Sequence, residues 1–229
     1  MGKIKSERER KKEGKGTEQK NSKLLVSFTP ISLLLAIVAL VGELYITVKY
    51  IGKDNYANYS LLLLFLGIIA IVGVFYLNKE RNDKIQFQYQ FMEEPVMWIF
   101  YIAFIVLILS ISWAIAKITV RFALSTTDMY FYYISTAVIE ELFFRMFLCS
   151  FLKLKINLHP AIVVLISSLL FTLIHIEAYY NKPYALVVMC VGGLVFSISY
   201  LKFKDITIPM VAHVIINLVA VGNLLMVAT

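Results

Sequence analysis

Val138-Ile139-Glu140-Glu141-Leu142-Phe143-Phe144-Arg145-Met146-Phe147-Leu148-Cys149 lies in the middle of an apolar run covering residues 129–152. The run is solid rather than alternating, which predicts a helix and excludes a barrel strand. At 24 residues it exceeds the ~20 that a helix needs to cross a hydrocarbon core. Its three ionisable side chains, Glu140, Glu141 and Arg145, are expensive in that setting and therefore face other helices or a polar cavity.

Six further runs flank it, at about 24–48, 59–78, 95–116, 158–177, 184–201 and 206–227. The 229 residues are 60% hydrophobic and only 16% charged, with a mean hydropathy of +0.77. A soluble domain is about half apolar and about a quarter charged, so one soluble core cannot absorb this excess. The expected fold is an all-α integral membrane protein, a polytopic bundle of about seven (six to eight) transmembrane helices around a polar intramembrane cavity. Its organisation divides into a basic tail over 1–23, N-terminal helices over 24–128 and a motif-bearing core over 129–227.

The net charge of +7 is largely local. Nine Lys/Arg lie within residues 1–23, beside Glu7, Glu9, Glu13 and Glu18. That composition cannot bury a core and reads as a disordered tail. No basic and aromatic surface pattern exists elsewhere, so no nucleic-acid partner is expected. With the N-terminus inside, inner segments carry 16 Lys/Arg and outer segments five; the positive-inside rule then puts the N-terminus in the cytoplasm. Trp98 and Trp113 bracket the third run as an aromatic belt does, and residues 85–94 alternate as an interfacial segment does. Cys149 and Cys190 lie in apolar runs without metal-site or disulfide spacing.

Glu141 and Arg145 are spaced i, i+4 with the acid N-terminal, the better orientation for a helical ion pair. Glu140 projects about 100° away around the helix and falls outside that pairing. It is the acid left available for proton transfer. His213 and Asn217 are also spaced i, i+4 and share one face of the last run. Together they can orient a water, donate to an oxyanion, bind a metal, or bond to another helix. His175, at the end of the fifth run, reads by itself as an interfacial residue. Glu43, near the end of the first run, snorkels or pairs; His159 precedes Pro160 at a helix start. Cys149 lies on the Glu141/Arg145 stripe with no histidine placed near it by local spacing. On this span map Glu140 is near mid-membrane, His175 near the outer end and His213 nearer the inner end.

Glu140-Glu141-x-x-x-Arg145, Phe171-x-x-x-His175 and His213-x-x-x-Asn217, on three helices in this order, resemble the signature of the CAAX-protease and bacteriocin-processing (CPBP, or Abi) family. The resemblance covers about residues 129–227. It implies an intramembrane endopeptidase in which Glu140 activates water with the help of His175. It implies that His213 and Asn217 stabilise the oxyanion, and that Glu141 and Arg145 hold the motif helix in place. No cofactor is required on this account. A two-His-one-carboxylate zinc site made of Glu140, His175 and His213 is the metal-dependent alternative. The partners implied are the bilayer and a membrane-associated peptide or protein, prenylated in the CAAX case. The location implied is the cytoplasmic membrane in a prokaryote or the endoplasmic reticulum in a eukaryote. The rival reading is a non-catalytic member of the same family, a bacteriocin self-immunity or scaffold protein.

Overall fold

The computed structural model describes residues 30–50, 55–80, 102–103, 125–179 and 182–228. The tail, the belt tryptophans, residues 85–94 and all but two residues of the expected span 95–116 lie outside these.

Apolar runs become helices because a helix satisfies its own backbone without water. α1 spans Pro30–Tyr50 and α2 spans Asn55–Glu80. α3 spans Thr126–Glu141, continues without a break through a π-helical stretch, Leu142–Cys149, and ends in α4, Ser150–Leu154. α5 spans Pro160–Ile174 and α6 is a single turn, Ile176–Tyr179. α7 spans Pro183–Phe203 and α8 spans Thr207–Ala228. With α3 to α4 taken as one rod, six long helical elements are described, and among the described residues no strand occurs. Six of the expected seven are described, so the count of seven is not confirmed.

Ile31–Tyr50, Tyr59–Leu77 and Pro183–Phe203 are long and apolar enough to cross a membrane, while Pro160–Ile174 and Thr207–Ala220 are shorter apolar helices. The fifth run thus differs from expectation. It is a 15-residue helix that stops at Ile174, with His175 as its C-cap.

The α3 rod is the axis of the molecule. α1 and α2 pack on each other and on the rod, α8 lies against α3, and α7 lies against α5. The seam between α1, α2 and the rod is closed by Ala36, Ala39, Leu63, Ala70, Val138, Ile139, Leu142 and Met146, all buried. Small residues allow the close approach that helix association in lipid requires. A Cβ built on Gly193 of α7 would sit 3.0 Å from the Ser168 Cα of α5. Outward-facing Leu34, Val41, Phe65, Val72, Leu165 and Val187 are exposed; in a bilayer, lipid chains cover such a surface.

The helix ends are set by local chemistry. Ser125 caps α3, and its hydroxyl accepts from the Asp128 backbone N–H at 3.3 Å. Asp128 in turn fastens α1 to α3. It accepts from Lys49 Nζ at 2.7 Å and from the Tyr50 hydroxyl at 2.6 Å. His159 caps α5, its Nδ1 accepting from Ala161 N at 3.3 Å, with Pro160 in the first helical turn. Asp205 precedes α8 and its Oδ1 accepts from Thr207 N at 2.8 Å. Lys204 closes α7 in the left-handed region at φ 57°, donating to Tyr200 O.

Candidate active site

Glu140 is the last residue but one of α3 and is 1% exposed. Two imidazoles and a phenol converge on it. His175 Nε2 is 3.5 Å from Glu140 Oε1, and His213 Nε2 is 3.8 Å from Glu140 Oε2. The Tyr59 hydroxyl of α2 donates to Oε1 at 3.3 Å. The three histidine and glutamate side chains placed at different depths by the span map therefore meet at one point. His175 is the C-cap of α5, at the end of the fifth run, and its imidazole turns into the bundle toward Glu140.

Both imidazole tautomers are fixed by their other nitrogen. His175 Nδ1 lies 2.8 Å from Phe171 O, and a carbonyl can only accept, so Nδ1 carries the proton. His213 Nδ1 lies 2.9 Å from Glu141 Oε1, a carboxylate already paired with a guanidinium, so there too Nδ1 is the donor. In the Nδ1–H tautomer each ring turns a bare Nε2 toward Glu140. Two lone pairs and a carboxyl facing one another need a proton or a water between them. Such groups are chemically able to accept a proton from a water.

Glu141 diverges from Glu140 around the helix, as the helix geometry predicts. Its Oε1 is 3.1 Å from Arg145 Nη1, and both side chains are buried. Arg145 Nη2 donates weakly to Gly193 O at 3.5 Å. The guanidinium carbon lies 4.4 Å from the Phe171 ring centroid and 5.4 Å from that of Phe196. Such rings attract a buried cation through their quadrupole. The same two rings hold the catalytic candidates. His213 stacks on Phe196 with centroids 5.1 Å apart, and His175 leans on Phe171 at 4.8 Å. Asn217, one turn beyond His213, donates from Nδ2 to Tyr133 O at 3.1 Å.

Among the described residues no group of three or more His, Cys, Asp and Glu is disposed to hold a metal ion. Cys149 is fully buried, its thiol against Ser167 and Ser197. Glu43 does not snorkel. It is fully buried, taking the Ser60 hydroxyl at 2.6 Å and the Thr136 hydroxyl at 3.2 Å.

Two participants were not apparent from the sequence. Tyr59 is one of 14 tyrosines and carries no motif. Glu43 stands out as an acid in an apolar run, but spacing along one helix cannot show which neighbours it meets.

Residues 122–219 match the model of a family described as type II CAAX prenyl endopeptidase Rce1-like. The match bears out the resemblance drawn from the three motifs, and the matched segment holds Glu140, Glu141, Arg145, His175, His213 and Asn217. No curated protein and no solved structure matched the chain. The apolar helices together with this match point to a membrane protein.

Proposed function

We propose that this chain is an intramembrane endopeptidase that hydrolyses peptide bonds with a water activated by Glu140 and His175. The observation that supports it is the pair of imidazoles whose bare Nε2 atoms face one buried carboxyl. In the proposed reaction the water oxygen attacks the scissile carbonyl carbon, and its proton passes to Glu140 or His175. The carbonyl oxygen becomes an oxyanion, for which the donors are the Asn217 amide and, once Glu140 has passed the water's proton on to its Nε2, His213. Collapse of the intermediate breaks the C–N bond, and the stored proton goes to the leaving amine. Glu141 and Arg145 orient His213 and touch no reacting atom.

The substrate class is a membrane-associated peptide or protein, and the Rce1-like match favours a prenylated CAAX terminus. The chemistry is proposed without a cofactor. Activity unchanged by chelators, in protein free of bound metal, is the expected result. Loss of activity on chelation with recovery on zinc would replace it with a metal mechanism on the same three residues.

The test compares wild type, Glu140→Gln and His175→Ala in detergent, with a farnesylated CAAX peptide and a mixed peptide library, read by mass spectrometry. The expectation is cleavage by wild type and a loss of at least about a hundredfold in each variant, within the range for general acid–base groups. Matched thermal melts check that the variants fold. Full activity of Glu140→Gln overturns the mechanism. Cleavage by none of the three moves the reading to a non-catalytic member of the family.

A further inference from the structure

Tyr59 lies outside the matched segment and belongs to none of the three motifs. Its hydroxyl nevertheless donates to Glu140 Oε1 at 3.3 Å. Neither imidazole supplies that donor in its resting tautomer, because His175 Nδ1–H is committed to Phe171 O and His213 Nδ1–H to Glu141. The terminal torsion of a glutamate is broad. Without a donor on one oxygen, the Glu140 carboxyl is free to turn away from the two Nε2 atoms.

The neighbouring residue explains how Tyr59 is brought there. Ser60 donates to Glu43 Oε2 at 2.6 Å, and Thr136 donates to Glu43 Oε1 at 3.2 Å. Thr136 lies one helical turn before Glu140 on the same face of α3. Glu43 of α1 thus ties α2 to α3 within a turn of the site. A slip of one residue in α2 would swing Tyr59 about 100° away from Glu140. A buried carboxyl in an apolar bundle is costly and marks a function by default. Its two hydroxyl partners fit a registering role.

We infer that Tyr59 is a positioning residue for Glu140, seated by the Glu43–Ser60–Thr136 cluster, so that the N-terminal helix pair completes the active site. This rests on Glu140 being the water-activating residue. Tyr59 acts through Glu140.

The experiment uses the full chain in detergent with a peptide that wild type cleaves. Tyr59→Phe is expected to lower kcat about ten- to a hundredfold, the scale of a small misplacement of a catalytic group, with KM and melting temperature nearly unchanged. Glu43→Ala is expected to lower kcat similarly, and the double variant no further than the worse single. Glu43→Gln, which keeps a hydrogen-bonding head group, is expected to recover most of the rate. Wild-type kcat in Tyr59→Phe overturns the inference, as does a loss confined to melting temperature. If wild type cleaves no peptide, the protease reading fails separately. A Tyr59→Phe and Glu140→Gln double-mutant cycle on melting temperature then decides the contact itself. Non-additive shifts sustain the contact and additive shifts overturn it.

Discussion

Glu141 Oε1 is shared by Arg145 Nη1 at 3.1 Å and His213 Nδ1 at 2.9 Å, so one buried oxygen links the motif helix to the last helix. A single carboxylate thus neutralises the guanidinium and orders the imidazole that faces Glu140. Glu141→Ala removes both. It leaves Arg145 buried among aromatic rings without an anion, which costs about 3–5 kcal/mol when a buried pair is broken from one side. Glu141→Ala is therefore expected to lower both the melting temperature and the activity. Glu140→Gln lowers activity alone. Melts and peptide cleavage on the same preparations check the contrast.

Asn217 carries a narrower prediction. Its Nδ2 is held by Tyr133 O at 3.1 Å, which orients the amide from the backbone of the motif helix. If the amide donates to the oxyanion, Asn217→Ala lowers kcat about a hundred- to a thousandfold, the usual loss for one such donor. KM should stay within a few-fold of wild type. Steady-state kinetics on one cleaved peptide measures both. A rise in KM with kcat intact would assign Asn217 to substrate binding instead.

The helix positions were legible because run length is read directly from hydropathy. The runs at 129–152 and 184–201 became Thr126–Leu154, counting α3, the π stretch and α4, and Pro183–Phe203. The split between Glu140 and the Glu141–Arg145 pair was also legible, since adjacent helical residues diverge by a fixed angle. The depth of His175 was not. The residues after Ile174 are His175, Ile176 and Glu177, and run length along one helix does not show which groups on other helices His175 meets. The π stretch Leu142–Cys149 was equally hidden, because a widened turn depends on packing by neighbouring helices. Tyr59 and the partners of Glu43 come from contacts between residues about 80 or more positions apart, for Glu43 through Thr136 on α3. Local periodicity does not reach that far.

Gly193 gives a prediction about packing. Its absent side chain lets α7 approach α5 so closely that a Cβ would meet Ser168 Cα at 3.0 Å. Its carbonyl also faces Arg145. Gly193→Ala forces two backbones apart, not a flexible side chain. A loss of about 1–3 kcal/mol is expected, as for other overpacked interiors. Activity per folded molecule should fall too, since α7 also carries Phe196, the ring under His213. Gly192→Ala, one residue earlier, serves as the comparison for the size of the effect.

Asp128 lies in the first turn of α3, before the expected span begins. The Lys49 ammonium, then the Ser125 and Tyr50 hydroxyls, hold its carboxyl well below the usual carboxylate range. A carboxyl whose folded pKa is depressed adds stability above its unfolded pKa, about 3.9, and loses it as pH falls toward the folded value. Wild type should therefore lose melting temperature progressively below about pH 4 through this group. Asp128→Asn should start lower at pH 7, by about 2–4 °C for each kcal/mol lost, and show a flatter acid limb. Lys49 is partly exposed, so salt should narrow the gap between the two proteins. Melts from pH 3 to 8 at low and high salt test all four effects. Parallel acid limbs in wild type and Asp128→Asn would show that the α1–α3 clamp does not set the acid stability.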